Sequence, residues 1–325
     1  MPISEKLKDK ISGYRSAGIN KVKIAITDTD GVMRGKYLSL DKFESILNST
    51  GSFCDCVFGW DVADVLYDNA RFTGWHTAYP DALFKIDLNS ERLIPDEKIP
   101  FFLADFVTND QKDDHLVCPR QVLKRILKKA EGLGFGVHLG FEYEFFLFDE
   151  TPQSVRDKNY HNLKPLTPGM FGYSMIRNST QSDLFQSLMD YFLAMNVELE
   201  ALHCETGPGV LEAAIKYDTA LPACDKANIF KTFSKVFFQK RNIMATFMAR
   251  WNVSLPGLGG HIHQSLFDLK NNLNLFFDEN ETHGMSPLMQ SYIAGQMKYL
   301  KSFLVMCSPT INSYTRLVMG FWAPT

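Results

Sequence analysis

The stretch Gly140-Phe141-Glu142-Tyr143-Glu144-Phe145-Phe146 sets two carboxylates two residues apart inside an apolar run over 137–148. Aromatic and branched residues suit a half-buried pleated surface, so the run predicts a buried strand. In a strand, residues i and i+2 point to the same face with Cα atoms roughly 7 Å apart. Glu142 and Glu144 therefore project together. Carboxylates at a buried position need a positive partner. A divalent ion such as Mg²⁺ or Mn²⁺ fits hard oxygen ligands. A lysine or arginine, or a solvated face, would satisfy the same pattern, and the stretch alone does not separate these readings.

Two further stretches bear on the choice. Glu205-Thr206-Gly207-Pro208-Gly209-Val210-Leu211-Glu212 lies between strand-like runs at 197–204 and 211–217. Gly-Pro-Gly is a turn signal, so two strands meet here with a carboxylate at each mouth. A helix cap or a lysine partner is the plainer use of such acids. In Gly259-Gly260-His261-Ile262-His263-Gln264-Ser265-Leu266, strand alternation places His261, His263 and Ser265 on one face. Imidazole ligates metals, and the preceding glycines admit close backbone approach. A single histidine would be an ordinary core residue; a pair at i, i+2 followed by serine points towards a site. Four carboxylates and an imidazole pair on separate strands are what a site for more than one divalent ion requires. Such ions neutralise phosphate oxygens and the charge that develops in phosphoryl transfer.

Five stretches (140–149, 203–212, 245–250, 259–266 and 312–324) resemble, in order and spacing, the glutamine synthetase superfamily of ATP-dependent glutamate–ammonia and glutamate–amine ligases. The resemblance extends from near the N-terminus to Thr325. It implies that Glu144, Glu205 and Glu212 form a first metal site, and that Glu142 and His261 belong to a second at the nucleotide phosphates. It implies that His263 contacts those phosphates, with Ser265 and Tyr217 on the nucleotide. It places Gly257, Tyr173, Arg316 and Trp322 on the substrate side, and gives Arg316 and His263 catalytic roles. The implied cofactors are ATP and two or more Mg²⁺ or Mn²⁺ ions. The implied reaction joins glutamate to an amine through γ-glutamyl phosphate. The implied fold is α+β: a β-grasp domain over 1–106, a linker over 107–118, and a catalytic domain over 119–325 with a curved antiparallel sheet. Rings of identical subunits with active sites at their interfaces are implied as well. Trp60 and Trp75 are available for that contact, or are ordinary core tryptophans.

The sequence departs from the family pattern in places. The ammonia-using members carry Arg-Leu-Val-Pro-Gly-Tyr-Glu-Ala-Pro on a flap. Here the segment is Arg316-Leu317-Val318-Met319-Gly320-Phe321-Trp322-Ala323-Pro324, with Trp322 at the glutamate position. Tryptophan cannot take a proton from ammonium, but it can cover an alkyl group or face an alkylammonium. The expected acceptor is therefore an alkylamine. Asp55 sits in a loop shifted against the family's ammonia loop. Pro256 replaces an asparagine and Val210 a glutamine. The family also continues past Ala-Pro into further arginines and a third carboxylate of the second metal site. The 325 residues are therefore expected to be a fragment that is weak or inactive by itself. The alternative is a non-catalytic relative that binds metal or nucleotide.

Bulk properties set outer bounds. The chain has 325 residues, 45% hydrophobic and 22% charged, with a net charge of −3. These values suit a globular protein of about two domains and give no reason to expect nucleic acid as a partner. Lys124, Arg125, Lys128 and Lys129 alternate with apolar residues, as on the wet face of an amphipathic helix opening at Pro119. The six cysteines read as reduced thiols of a cytoplasmic protein. The first residues hold no apolar secretion signal. Further helices are expected near 183–195, 226–241 and 287–307, and strands over 22–27, 244–252 and 261–267. Gln290, Gln296, Lys298 and Lys301 argue against a membrane span in 287–307. The polar, proline-bearing stretch 149–172 reads as an insertion long enough to cover a site.

Overall fold

The computed structural model describes residues 5–110 and 115–320. They fold as two units, Met1–Lys129 with Ala194–Asn196, and Ala130–Leu193 with Val197–Thr325.

The first unit contains α1 (Glu5–Ser16), β1 (Lys21–Thr27), β2 (Met33–Ser39), α2 (Leu40–Leu47), β3 (Gly51–Cys54), β4 (Asp81–Ile94), β5 (Ile99–Phe106) and most of α3 (Pro119–Gly132). Val22, Ile24 and Ile26 alternate into the core of β1, the period-2 pattern of a sheet with one buried face. Ser39 caps α2 by accepting from the Lys42 N–H, and Leu40, Phe43 and Ile46 are its buried face. The strands form one mixed sheet, β2-β1-β5-β4-β3, in which the central pair β1 and β5 is parallel. Arg120 of α3 is buried and paired with Asp105 at 2.6 Å and Asp87 at 2.8 Å. That compensation is what a buried guanidinium needs.

The second unit contains β6 (Phe135–Phe148), α4 (Pro152–Asp157), α5 (Met175–Thr180), α6 (Ser182–Ala194), β7 (Leu199–Cys204), β8 (Val210–Thr219), α7 (Ala220–Gln239), β9 (Met244–Thr246), β10 (Gly260–Asp268), α8 (Pro287–Cys307) and α9 (Ile311–Arg316). Its sheet is antiparallel in the order β10-β6-β8-β7, with β9 also paired to β6. The sheet is curled, as expected for the α+β class. Phe145 packs on Phe230 and Phe238 of α7, each with ring centroids 5.9 Å apart. The opposite face of β6 carries Glu142 and Glu144, and then Phe146 and Phe148, which pack with Val210, Leu258 and Trp251. One strand thus supports the unit's core on one side and presents carboxylates on the other.

Two expected element boundaries need adjustment. The strand expected over 244–252 stops at Thr246. Phe247 turns into the aromatic cluster of Phe145 and Phe230. The chain then curls around the Arg250 guanidinium, which donates to the carbonyls of Asn252, Val253 and Leu255. The helix expected from 226 begins at Ala220, because Pro222 lies in its first turn, where the missing N–H costs nothing. The stretch 149–172 returns to the sheet: Asp149 N–H donates to Lys164 O at 2.8 Å and Leu166 N–H to Leu147 O at 2.9 Å. Among the described residues no helix is long and apolar enough to cross a membrane.

Candidate functional site

Strand register brings the acids and imidazoles together. Glu142 on β6 stands directly opposite His261 on β10. Glu212 on β8 stands opposite Glu144 on one side and His203 on the other. The tight turn between β7 and β8 returns the chain at Gly209, whose φ is +70°. A Cβ there would lie 2.3 Å from the Leu147 carbonyl oxygen, so only glycine fits. The Glu205 N–H closes this turn on Val210 O at 3.0 Å.

Among the described residues two groups of three result, each with its ligand atoms within 4.8 Å of one another: Glu142, Glu212 and His261, and His203, Glu205 and Glu212. Glu212 belongs to both. Glu142 Oε2 lies 2.9 Å from His261 Nδ1 and 3.2 Å from His263 Nε2. Burial pushes the Glu142 carboxyl up, but the hydrogen bonds and charge of the two histidines outweigh it and hold it below the usual range. His203 Nε2 is 3.4 Å from Oε2 of both Glu205 and Glu212, yet is buried without a hydrogen bond. Such an orphaned nitrogen is the state a ligand would relieve. Burial, and then the charge of Glu144, push the Glu212 carboxyl up, against the pull of His203. Mixed carboxylate and imidazole donors suit a divalent ion of the Mg²⁺ or Mn²⁺ kind, and one would stabilise the crowded anions.

Glu144 stands beside these groups without belonging to either. Its carboxylate accepts from the Gly259 N–H at 2.5 Å. Burial pushes it up, Gly259 pulls it down, and the charge of Glu205 raises it again. Tyr173 covers the cluster: its ring stacks on His203 at 4.4 Å and 8°, and its N–H donates to Cys204 O at 2.7 Å. The charge of Glu205, and then burial, push its phenol up.

Arg316 at the end of α9 lies over Gly257. A Cβ at 257 would be 2.2 Å from Arg316 Cδ and 2.4 Å from Ala249 O. Arg316 Nε donates to Leu258 O at 3.0 Å, and its charge is felt at Glu144. Buried Arg250 holds this corner, donating also to Thr315 O, while Asn312 donates to Arg250 O at 2.9 Å.

Next to Glu142 opens a cleft of about 510 Å³ that gathers Tyr217, His263 and Ser265 with His138 and Glu200. His138 stacks on Phe267 at 4.1 Å and meets the edge of Tyr217 at 5.8 Å. Trp322 lies outside the described residues. Asp55, in the first unit, is buried and accepts from Thr73 at 2.6 Å. All six cysteines are unpaired.

His203, Glu200 and His138 were not singled out from the sequence. His203 and Glu205 repeat the i, i+2 spacing of His261 and His263, a signal that could have found the first of them. Glu200 repeats the Glu-x-Glu spacing together with Glu198, whereas His138 carries no comparable pattern; both reach the cleft through sheet register.

Residues 116–325 match the catalytic domain of glutamine synthetase, and the chain belongs to that family. It is 47% identical to type-1 glutamine synthetase 2 of Dictyostelium discoideum over 306 residues, 94% of this chain and 58% of that protein. It is 33% identical to the glutamate–isopropylamine ligase of a Pseudomonas species, over 98% of this chain and 69% of the ligase. It thus spans little more than half the length of the Dictyostelium relative. Apo GmaS shares the fold with a TM-score of 0.78 at 24% identity, over 94% of this chain and 68% of that one. So does the Plasmodium falciparum glutamine synthetase solved by cryo-electron microscopy, with 0.78 at 23%, over 99% and 65%.

Proposed function

We propose that this chain carries the site of an ATP-dependent ligase that joins glutamate to an amine, an alkylamine in preference to ammonia. The observation that carries the reading is Glu212, shared by two triads of metal-capable side chains beside a cleft with Tyr217, His263 and Ser265. Glu142, Glu212 and His261 would hold one divalent ion, and His203, Glu205 and Glu212 another, with Glu144 at hand. Mg²⁺ or Mn²⁺ bound there supplies charge neutralisation at phosphate oxygens. His263 would donate to a phosphate oxygen, with Tyr217 and Ser265 on the nucleotide. Gly257, Tyr173 and Arg316 are assigned to the amino acid. In the reaction, a γ-carboxylate oxygen of glutamate bonds to the terminal phosphorus of ATP as ADP leaves. The amine nitrogen then bonds to the acyl carbon, loses a proton, and phosphate departs.

Relatives named glutamate–isopropylamine ligase and γ-glutamylethanolamide synthetase support an amine acceptor, as does Trp322 at the family's glutamate position. We also place the protein in the cytoplasm, as a ring-forming homo-oligomer. The test is phosphate release with ATP, Mg²⁺ and glutamate plus isopropylamine, ethanolamine or ammonium, with the product weighed by mass spectrometry. Release by the 325 residues alone is expected to be weak, and whatever release occurs is expected to require both glutamate and an alkylamine. Hydrolysis independent of both would contradict the reading. A second reading, a non-catalytic relative that binds metal or nucleotide, is favoured by the engagement of Glu144 with the Gly259 amide. Mn²⁺ binding without turnover would select it.

A further inference from the structure

Cys54-Asp55-Cys56 is the one place where two of the six cysteines stand close in the chain. Cys54 ends β3 and caps a 3₁₀ turn over Asp55–Phe58. In a continued strand the two Cα atoms would stand roughly 7 Å apart. The 3₁₀ conformation at Asp55 shortens that step to about 5–6 Å, inside the window of roughly 4.4–6.8 Å that a disulfide needs. The side chains agree with the backbone. Cys56 Sγ folds back to 3.9 Å from Cys54 O, and a hydrogen bond joins the two thiols. Cys54 is exposed, with its Sγ 3.4 Å from Tyr79 O, and Cys56 is half-buried.

The backbone that carries the pair is held on both sides. The Asp55 N–H donates to Pro80 O at 2.9 Å, the Gly59 N–H donates to Cys56 O at 2.8 Å, and the buried Asp55 carboxylate accepts from Thr73 Oγ1 at 2.6 Å. Closure therefore asks for side-chain rotation and not for movement of the chain. A metal is the other use of two close thiols, but among the described residues neither belongs to a group of three metal-capable side chains. The other thiols have no such neighbour in the sequence. Cys118 and Cys204 are buried, and burial pushes Cys224 up to about 12. Cys307 is exposed at the end of α8.

We propose that Cys54 and Cys56 are a reversible redox pair that closes to a disulfide across Asp55 when a hydroperoxide reaches Cys54. With hydrogen peroxide, the Cys54 sulfur attacks one peroxide oxygen. An S–O bond forms, the O–O bond breaks, and the other oxygen leaves as water. The Cys56 sulfur then bonds to the Cys54 sulfur, the S–O bond breaks, and the hydroxyl departs with a proton as a second water. Two thiols thus give up two hydrogens while the peroxide is reduced, and an external dithiol returns them. Burial, and then the hydrogen bond and charge of Cys54, push the Cys56 thiol up to about 12. The exposed Cys54 therefore meets the oxidant, and Cys56 resolves it. A small-ring disulfide at an exposed edge is readily reduced, which suits a regulatory bond rather than a structural one. Closure would fix the junction from which Asp55 reaches Thr73.

The test exposes the 325-residue chain, carrying Cys307→Ser to remove the other exposed thiol, to an equivalent of hydrogen peroxide. Its thiols are then mapped by mass spectrometry. The peptide that holds both Cys54 and Cys56 should lose two hydrogens and resist alkylation, and dithiothreitol should reverse both changes. Phenylarsine oxide, which bridges two close thiols, should protect that peptide in the reduced chain. Cys56→Ser should let Cys54 run on to sulfinic acid. Cys54→Ser should slow loss of the Cys56 thiol roughly tenfold or more. Sulfinic acid at Cys54 with Cys56 still free, in the chain that keeps both thiols, overturns the proposal. A disulfide formed only between chains overturns it too, as does peroxide reactivity unchanged by Cys54→Ser.

Discussion

Glu142 Oε2 lies 2.9 Å from His261 Nδ1, between two residues directly opposed in the β6–β10 ladder. The ladder fixes the distance, so the pair is preformed. The same oxygen is 3.2 Å from His263, so one carboxylate orients two imidazoles. Glu142→Gln removes this anchor. Mn²⁺ affinity at the Glu142 group should fall roughly tenfold or more, while the group at His203 keeps its ion. Isothermal titration of the variant would then show one tight ion fewer than the unmodified chain.

Gly257→Ala sets a Cβ against Arg316 Cδ and the Ala249 carbonyl. The guanidinium can swing, but the carbonyl belongs to the backbone. A loss of about 1–3 kcal/mol is expected from such overpacking, read as a lower denaturant midpoint at unchanged slope. Under the proposed roles, glutamate affinity should fall further than nucleotide affinity.

Arg250→Lys tests how the corner near α9 is held. The guanidinium donates to four backbone carbonyls on the 252–255 loop and at Thr315. An ammonium cannot span them, because it lacks the planar fork. A cost of about 1–3 kcal/mol is expected for carbonyls left unpaired, with faster amide exchange over 311–316. Unchanged exchange there would show that Arg250 does not position α9.

Much of this was legible in the sequence, and the failures have particular causes. The aromatic run around Glu142 declared a buried strand, and alternation put both glutamates on one face. His261 and His263 were legible for the same reason. Which carboxylates converge was not, because that depends on register between strands far apart in sequence. Glu144 was expected with Glu205 and Glu212. In the structure the Glu144 carboxylate accepts from the Gly259 amide and still feels the charge of Glu205, while His203 lies beside Glu205 and Glu212, a neighbour the spacing alone did not announce. Nor could the sequence show that Arg250 ends a strand by gathering carbonyls. The apolar composition of 287–307 declared a helix but not what covers it.

Glu150 provides a pH test away from the cluster. It is buried, and hydrogen bonds from Lys158 and Ser154 hold its carboxyl at about 2, against an ordinary value of 4.5. A depressed value means the folded state favours the charged form. The stability it contributes is present above about 4.5 and is lost as pH falls through about 2. Glu150→Gln should therefore melt lower than the unmodified chain at pH 7, by about 1–3 kcal/mol. The difference should shrink steadily through the acid range. A gap that stayed constant from pH 7 down to the acid limit would contradict this assignment.

The most direct measurement is the number of Mn²⁺ ions bound by the 325-residue chain and by Glu212→Gln, read by electron paramagnetic resonance. Glu212 is the ligand the two groups share. Two ions, close enough for spin coupling in the unmodified chain, with both weakened at least tenfold in the variant, are the expected result. A chain that binds no ion, or whose binding is unaltered by Glu212→Gln, would contradict a paired metal centre at this sheet.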